Sequence, residues 1–300
     1  MLSILIPVYN RDVRNSVREL HALADSAGVP FEIICLDDGS RNEFLLLNAG
    51  ISDLRGVKYS CLGQNIGRSA IRNLLADESK YEYLLFMDSD FKITHPGYIK
   101  RYLEARKKQQ VVVGGSLYAP SPPQEPDLLL RWRYGSKREQ LSLERRQRLG
   151  WKAFTTHHFL VHREAFSRVR FDESLRQYGH EDTLFGQALE REGYKIRHIG
   201  NPLLHQELDP AGIFLEKVLQ SVENLYRLQL QGVHLSTSLG RAFAMLHSAG
   251  LDRLVGRSFQ ALGPILKRQL IGPNPHLWAL DLYKLLYYSY LNRFKQISPH

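Results

Sequence analysis

Two aspartates follow an apolar run in the segment Tyr83-Leu-Leu-Phe-Met-Asp-Ser-Asp90. Residues i and i+2 of an extended chain point to the same side, so the carboxylates of Asp88 and Asp90 can face one cation. Carboxylate oxygens suit Mg²⁺ or Mn²⁺, which keep few protein ligands and complete their shell with water and substrate phosphates. An Asp-x-Asp pair is common by chance, but its place at the end of a buried strand predicts a metal site at the rim of a cleft.

Short apolar segments alternate with helical patterns through the first two-fifths of the chain. Periodicity predicts strands at 2–9, 31–38, 57–63, 81–90 and 110–118, and helices at 12–27, 42–49, 67–76 and 96–108. Strands that are apolar throughout and joined by helices predict an α/β fold, with a mostly parallel central sheet flanked by helices on both faces. In such sheets a ligand binds beyond the carboxyl ends of the strands.

Polar residues leave the carboxyl ends of four predicted strands. The segments are Tyr9-Asn10-Arg11-Asp12, Asp37-Asp38-Gly39-Ser40, Gln64-Asn65-Ile66-Gly67 and Asp88-Ser89-Asp90. The first strand is not followed by the Gly-x-Gly-x-x-Gly of dinucleotide-binding folds, and the chain has no Gly-x-x-x-x-Gly-Lys-Ser/Thr phosphate loop. We therefore expect that backbone amides alone do not hold the phosphates of any bound nucleotide, and that a carboxylate-bound cation neutralises them.

The pattern changes after residue 118. A Pro-rich connector at 119–126 precedes a basic segment, a possible strand at 159–163 and a helix at 181–192, and the chain from 211 onward reads as helices. Breaks are predicted near Gly232, Gly250 and the turn at 272–276. The N-terminus has no basic leader, and the most lipid-like segment, 277–291, is interrupted by charges, so we expect neither a signal peptide nor a transmembrane helix.

The chain is basic, with a formal charge of +9 and a pI of about 9.5 over 300 residues. Eight Lys or Arg against two Glu between residues 131 and 152 give that segment +6. Such a surface suits nucleic acid, anionic lipid or a phosphorylated substrate, although a solvated helix face is an equally good interpretation. The two cysteines, Cys35 and Cys61, lie in strand-like segments and are predicted to be buried, reduced thiols of a reducing compartment.

Five segments, SILIPVYNR, EIICLDDGS, QNIGRSAIRN, YLLFMDSD and YGHEDTLFGQAL, occur in this order. As an ordered set over residues 2–206, they resemble family 2 glycosyltransferases of the GT-A fold. The resemblance implies a Rossmann-like nucleotide-sugar half at 1–118 and an acceptor half at 119–206, within one domain at 1–206. A helical C-terminal extension would follow at 207–300. It also implies transfer, with inversion, from a nucleotide-diphosphate sugar, with a UDP-sugar favoured and Mn²⁺ or Mg²⁺ as the cofactor.

The resemblance also implies roles for individual residues. Asp38 would accept a hydrogen bond from the base, and Asp90, with Asp88 and His205, would hold the metal. Asp182, of the Glu181-Asp182 pair, would be the general base, although both residues also suit the first turn of a helix. The full set expected to bind the nucleotide is Pro7, Val8, Tyr9, Asn10, Asp37, Asp38, Asn65, Gly67, Arg68, Arg72 and Asp88.

The acceptor is not implied, because the stretch Thr155-Thr156-His157-His158 departs from the small or amide-rich residues that are usual there. Adjacent strand residues point to opposite faces, so we expect one histidine to face the acceptor cleft and the other to be structural. A saccharide or a lipid-linked glycan is the expected acceptor class. Peripheral contact of the aromatic last helix with anionic membrane, through Lys284, Arg293 and Lys295, is a further expectation, with a cytoplasmic location and no nucleic-acid partner.

Two other functions remain open from the residues. A sugar nucleotidyltransferase also uses carboxylate-bound Mg²⁺, but it usually has a Gly-rich basic loop after the first strand, and Val-Tyr-Asn-Arg-Asp lacks one. A non-catalytic polyanion-binding protein on the same scaffold would account for the charge, although no nucleic-acid motif supports it.

Overall fold

The computed structural model describes residues 1–175, 178–233 and 235–294. These residues form two compact units. The first comprises 1–119, 140–175 and 181–207, and the second comprises 120–139, 178–180 and 208–294. Residues 120–139, which the sequence analysis placed in an acceptor half, therefore pack with the C-terminal helices.

Ten strands lie in the first unit. They are β1 Leu2–Val8, β2 Phe31–Asp37, β3 Val57–Cys61, β4 Tyr83–Met87, β5 Phe91–Ile93, β6 Gln110–Val113, β7 Ser116–Leu117, β8 His158–His162, β9 Lys195–His198 and β10 Leu203–His205. Seven form a sheet in the order β3-β2-β1-β4-β8-β6-β9, in which only β8 runs antiparallel to its neighbours. The other three form a small sheet, β5-β10-β7. The predicted mostly parallel sheet is confirmed.

Seven helices belong to the first unit: α1 Arg14–Ser26, α2 Asn42–Asn48, α3 Arg68–Glu78, α4 Tyr98–Ala105, α6 Leu143–Leu149, α7 Arg163–Arg168 and α8 Glu181–Arg191. The second unit contains α5 Leu129–Tyr134, α9 Ala211–Leu230, α10 Ser238–Ser248, α11 Asp252–Ile271 and α12 Leu277–Phe294. The predicted breaks near Gly232, Gly250 and 272–276 all separate helices.

The first strand shows why these strands are apolar throughout. Ile4 and Ile6 pack with Leu20 of α1 on one face of the sheet, whereas Leu5 packs with Phe86 and Phe159 on the other. Successive residues of a strand point to opposite faces, so a sheet covered on both sides requires apolar residues at every position.

The segment 110–118 was predicted as one strand, but it forms β6 and β7 with a two-glycine turn between them. A Cβ atom on Gly114 would lie 2.2 Å from the ring of His158 and 2.4 Å from the carbonyl oxygen of Asn201, and Gly115 has φ +93°. The glycines therefore let the chain leave the large sheet and enter the small one, where β7 pairs with β10.

The second unit is built around α12. Its aromatic residues Tyr283, Tyr287 and Tyr288 are buried against other helices of this unit. Burial lowers the pKa of Lys284, and Arg293 is ion-paired with Asp252. These tyrosines therefore form the core of the unit, and contact of the helix with a membrane stays a prediction; Lys295 lies outside the described residues.

Two further findings bear on the sequence expectations. Cys35 is buried, but Cys61 is exposed, because it ends β3 at the edge of the sheet; neither forms a disulfide. No helix among the described residues is long and apolar enough to cross a membrane.

Candidate active site

The turns that follow β1 and β2 are joined by hydrogen bonds at the carboxyl end of the sheet. Asn10 adopts a positive φ of 50°. Its backbone amide donates to Ser40 Oγ at 2.6 Å, and its side-chain Oδ1 accepts from the backbone amide of Arg41 at 2.9 Å. The side chain of Asn10 is therefore used within the protein, and it fixes the two turns relative to each other.

The three residues before Asn10 differ in what they can offer a ligand. Val8 is fully buried in the core, and its carbonyl accepts the amide of Asp38 at 2.8 Å. Pro7 is half-buried, and Tyr9 is exposed. Of these side chains, Tyr9 is the most available to stack on a planar ring.

Asp37 ends β2 and Asp38 follows it, and the protein itself binds both carboxylates. Asp37 is fully buried and accepts from the amide of Ser40 at 2.7 Å and the hydroxyl of Tyr59 at 2.9 Å. Asp38 accepts from the amides of Ile66 at 2.7 Å and Gly67 at 3.2 Å. Burial raises the pKa of Asp38, and the neighbouring charge of Asp37 raises it further, while the two amides lower it.

Gly39 allows the loop carrying Asn65 to approach the end of β2. It has φ +77°, and a Cβ atom there would lie 2.9 Å from the backbone nitrogen of Asn65. The close approach places the amides of Ile66 and Gly67 on the Asp38 carboxylate. Asn65 itself is exposed beside them, in the region where the sequence analysis expected it to contact the nucleotide.

Arg72 of α3 holds Asp88 at the end of β4. The guanidinium is almost fully buried, and its Nη2 lies 2.5 Å from Asp88 Oδ1, while Nη1 donates to the carbonyl of Arg68 at 3.1 Å. The same guanidinium lies over the ring of Phe171, 5.7 Å from its centroid. Arg68 is half-exposed, with its guanidinium 3.7 Å from Glu181. Four residues that were predicted individually for the site thus form two ion pairs, Arg72 with Asp88 and Arg68 with Glu181.

Pairing within the small sheet brings His205 to Asp90. β5 and β10 are antiparallel, with His205 opposite Phe91, and the amide of Gln206 donates to the Asp90 carbonyl at 3.1 Å. As a result His205 Nε2 lies 3.5 Å from Asp90 Oδ2. The imidazole is buried, stacked on Tyr118 at a centroid separation of 5.2 Å. The ring is therefore held in one orientation.

The Asp90–His205 pair fits a divalent cation. Asp90 Oδ1 is buried and has no hydrogen-bond partner among the described residues. A carboxylate oxygen in that state is costly unless something positive binds it. No group of three or more His, Cys, Asp or Glu side chains in the described part of the chain is arranged to hold a metal. Asp90 and His205 would supply two ligands to a cation, and substrate phosphates and water would supply others.

Asp182 lies in the first turn of α8 and is half-buried. Its Oδ1 accepts from the amide of Thr183 at 2.6 Å and from the Thr183 hydroxyl at 3.2 Å. Burial, followed by the charge of Glu181, raises the pKa of Asp182 to about 6, although Thr183 and His157 act in the opposite direction. A carboxylate with a pKa near 6 is a better proton acceptor than an ordinary one and is still ionised at neutral pH.

His157 belongs to this site, although the sequence analysis did not assign it a definite role. Its Nδ1 lies 2.9 Å from Ser116 Oγ, and its ring packs 4.9 Å from Phe91. Its carbonyl accepts the amide of Asp88 at 2.8 Å. Adjacent strand residues face opposite sides, and this alternation is the sequence feature that distinguishes His157 from His158. Ser116 follows the Gly114-Gly115 turn, and no sequence feature indicated that it belongs to the site.

His158 is structural, as strand alternation predicts for one of the two histidines. It is fully buried, its Nδ1 faces the hydroxyls of Tyr98 and Tyr102 at 3.1 and 2.7 Å, and its Nε2 lies 2.6 Å from the carbonyl of Gly115. Burial lowers its pKa to about 3, so the ring is neutral.

Curated relatives match parts of the chain. An undecaprenyl-phosphate 4-deoxy-4-formamido-L-arabinose transferase of Pseudomonas paraeruginosa is 31% identical over 118 residues, 38% of this chain and 34% of that protein. A chondroitin synthase of Pasteurella multocida is 24% identical over 244 residues, 69% of this chain and 25% of that protein. The chain thus spans about a third and a quarter of the length of these relatives.

Solved structures share the fold. A mannosyltransferase of Pyrobaculum calidifontis, in complex with GDP-Man and Mn²⁺, has a TM-score of 0.55 at 13% identity, covering 99% of this chain and 88% of that one. TarS of S. aureus has a TM-score of 0.50 at 17% identity, covering 96% and 55%. The predicted GT-A type of fold, with a helical C-terminal part, is confirmed.

The family comparison covers the part of the site that lies at the ends of β1, β2 and β4, whereas Glu181, Asp182 and His205 lie beyond the matched residues. The model of glycosyl transferase family 2 matches residues 3–170, which is more than half of the chain and includes β1 to β4, the Asp88–Asp90 turn and His157. On this match the chain belongs to glycosyl transferase family 2.

Proposed function

We propose that this protein is an inverting, metal-dependent glycosyltransferase that moves a sugar from a nucleotide-diphosphate donor to a hydroxyl group of an acceptor. The observation that carries the proposal is the Asp90–His205 pair at the end of β4, with its buried, unpartnered carboxylate oxygen among the described residues. Membership of the family supports the reaction class. The metal dependence, the donor, the acceptor and the base are parts of the proposal.

The donor is proposed to be a nucleotide-diphosphate sugar, with a UDP-sugar the first choice. The solved mannosyltransferase of the same fold binds GDP-Man and Mn²⁺, so the fold accommodates this ligand class. In the present chain Tyr9 and Asn65 offer exposed side chains beside Asp38 for the base and ribose. Asp88, oriented by Arg72, keeps its second carboxylate oxygen for the ribose or the cation.

Mn²⁺ or Mg²⁺, held by Asp90 with His205 and with Asp88 nearby, would supply charge neutralisation for the diphosphate. Asp90 would fix the position of the donor phosphates through that charge, and His205 would keep the Asp90 carboxylate in its orientation. The stacking of His205 on Tyr118 supports this positioning role, because it limits rotation of the ring.

The acceptor hydroxyl is a poor nucleophile near neutral pH, and Asp182 is proposed to take its proton. As the hydroxyl oxygen forms a bond to the anomeric carbon, the bond from that carbon to the diphosphate oxygen breaks, and the proton passes to Asp182. Attack opposite the leaving group inverts the anomeric centre without a covalent enzyme intermediate. General-base assistance of this kind typically contributes about 10²–10⁴-fold. Glu181 would act indirectly, because its charge raises the pKa of Asp182.

The acceptor is proposed to be a saccharide or a lipid-linked glycan, such as a growing surface polysaccharide. One relative is an undecaprenyl-phosphate 4-deoxy-4-formamido-L-arabinose transferase and another is a chondroitin synthase, so a lipid phosphate and a polysaccharide both occur in the names of similar proteins. His157, which contacts Ser116 and lies close enough to Asp182 to lower its pKa, is the proposed acceptor-side residue of the pair of histidines. A cytoplasmic location, where nucleotide sugars are made, would suit this reaction.

The proposal is tested by a thermal-shift panel on the full chain. UDP, GDP, CDP, dTDP and ADP are each added with Mn²⁺, Mg²⁺ or EDTA to the wild type, to Asp90→Ala and to a matched control, Asp53→Ala, which changes an exposed aspartate. A ligand at 100 times its Kd adds about 2.7 kcal/mol of stability, a clear rise in Tm.

We expect one nucleotide to raise the Tm only with a divalent cation, in the wild type and in Asp53→Ala but not in Asp90→Ala. The absence of a shift with every nucleotide would contradict the proposal. Release of pyrophosphate from a nucleoside triphosphate would instead favour a nucleotidyltransferase.

A further inference from the structure

Helices α10 and α11 of the second unit, and the turn between them, expose apolar side chains. Met245, Leu254 and Ile265 are 73%, 66% and 64% exposed, and Leu251 and Leu262 are also exposed. None of the eleven described residues of α10 is fully buried. Exposed large apolar residues that cluster on one surface mark an interaction site more often than isolated ones do.

The spacing along α11 divides its exposed side into two strips. Leu254, Ala261 and Ile265 are seven and then four residues apart, so they lie along one line of the helix. Arg253, Arg257 and Arg268 lie along an adjacent line, at spacings of four and eleven. Leu266 and Leu270 point instead into the core of the unit. The exposed side of α11 is therefore apolar along one edge and basic along the next.

The charge of this surface is one-sided. Between residues 235 and 276 the chain has five Lys or Arg residues, Arg241, Arg253, Arg257, Lys267 and Arg268, and one acidic residue. That acidic residue, Asp252, is buried and ion-paired with Arg293, so it does not offset the exposed cations. No described carboxylate forms an ion pair with Arg253, Lys267 or Arg268.

We propose that the surface formed by α10, α11 and their connecting turn binds the headgroup region of an anionic lipid bilayer. Apolar side chains flanked by arginines are the arrangement that lies flat in such an interface, with the apolar edge inserted and the cations on the phosphates. The inference does not rest on the proposed transfer reaction, because lipid binding needs neither donor nor acceptor.

Vesicle flotation with the full chain tests the proposal. The vesicles are made of phosphatidylcholine alone or mixed with phosphatidylglycerol. One variant, Arg253→Gln/Arg257→Gln/Arg268→Gln, removes three charges. Its matched control, Lys100→Gln/Lys107→Gln/Lys108→Gln, removes three exposed charges from the first unit. A second pair compares Leu254→Ser/Ile265→Ser with Leu46→Ser/Leu47→Ser, which changes two exposed leucines of α2.

We expect the wild type to float with the anionic vesicles, and less so as salt is raised. The arginine variant and the Leu254/Ile265 variant should each bind anionic vesicles at least tenfold more weakly than the wild type. Both controls should bind like the wild type, and all variants should keep the wild-type Tm. Failure of the wild type to bind anionic vesicles would overturn the proposal, as would equal losses in the controls. The wild type could instead form a dimer and not bind vesicles, with the Leu254/Ile265 variant a monomer. That result would identify the surface as a contact between copies of the chain and would also overturn the proposal.

Discussion

The carboxylates of the candidate active site, four at strand ends and one in the first turn of α8, fall into two groups. In Asp37 and Asp38 the protein binds both carboxylate oxygens, through amides and a tyrosine hydroxyl, and in Asp88 it binds one oxygen through a buried guanidinium. Asp90 instead has a buried oxygen with no partner among the described residues, and Asp182 has a raised pKa. Hydrogen bonds from the protein stabilise Asp37 and Asp88, and in Asp38 two amides offset part of the cost of burial, whereas the state of Asp90 and Asp182 lowers the stability of the fold.

The difference indicates which carboxylates position other groups and which bind a cation or accept a proton. A carboxylate whose hydrogen bonds are satisfied inside the protein mainly positions backbone and neighbouring side chains. One held at a cost is the better candidate for binding a cation or accepting a proton. Substitutions should therefore separate the groups: changes around Asp38 and Asp88 should lower stability, whereas changes at Asp182 should lower transfer and raise stability.

The largest expected effect is on transfer. Asp182→Asn removes the proposed base with almost no change of shape, so kcat should fall by about 10²–10⁴-fold. Donor binding should be kept, because the substitution leaves the strand-end carboxylates unchanged. Steady-state transfer assays and nucleotide titration measure the two quantities, with Glu190→Gln, an exposed carboxylate at the other end of α8, as the control. Wild-type turnover by Asp182→Asn would remove the base assignment and break the comparison.

The next effect is on folding. Arg72→Met removes one partner of a largely buried ion pair, which typically costs 3–5 kcal/mol. Asp88 keeps some exposure to water, so we expect about 3 kcal/mol in the free energy of unfolding, measured with denaturant. The control Arg170→Met breaks an exposed two-bond pair with Asp77 and should cost about 1 kcal/mol or less. Equal costs for the two variants would show that Arg72 does not hold Asp88 in the manner described.

A third prediction concerns the sign of a stability change. The pKa of Asp182 is about 6 in the folded protein against an ordinary value of 3.8, so the folded state binds more protons between those pH values. The contribution of Asp182 to stability should therefore fall as the pH rises from about 4 to about 6. The lowered pKa of His158 acts in the opposite direction on the whole protein, so the effect is measured as the difference between wild type and Asp182→Asn. Asp182→Asn lacks this ionisation, so above pH 6 it should be more stable than the wild type. We expect a difference of about 2 kcal/mol in the free energy of unfolding, which allows for the partial exposure of Asp182, and no difference below pH 4. Denaturation at several pH values measures it; a loss of stability at pH 7.5 would contradict the raised pKa.

The smallest effect is expected at Asp38. In Asp38→Asn one of the two amides of Ile66 and Gly67 faces an NH₂ group instead of an acceptor, and an unsatisfied buried donor costs about 1–3 kcal/mol. Burial of the charged carboxylate, which raises its pKa, offsets part of that loss, so we expect about 1 kcal/mol. Denaturant unfolding beside Asp53→Asn as an exposed control tests this. A gain in stability would move Asp38 into the same group as Asp90 and Asp182.

The sequence predicted the long parallel strands and the residues that leave them, because buried strands are apolar at every position and their ends are polar. It did not predict β5, β9 or β10. A strand of three residues, such as β10, has no periodicity of its own and forms only by pairing with β5 and β7. The position of His205 beside Asp90 follows from that pairing, so sequence patterns alone could not reveal it.

Side-chain partners were also beyond the sequence. The contact of Arg72 with Asp88 joins residues sixteen apart in the chain through the packing of α3 on the sheet. The aromatic residues of α12 have the composition of an interfacial helix, yet they form the core of the second unit, because α9, α10 and α11 bury them. Composition records which residues are apolar, but not which neighbour covers them.

The most direct test of the central claim is the pH dependence of kcat/KM for transfer, measured with wild type and Asp182→Asn. The acid limb of this profile reports the pKa of the essential base in the free enzyme. The account predicts that wild-type kcat/KM falls tenfold per pH unit below about pH 6, and that the residual activity of Asp182→Asn lacks this limb. An acid limb near pH 4, or one near pH 6 that persists in Asp182→Asn, would show that another group accepts the proton and would contradict the account.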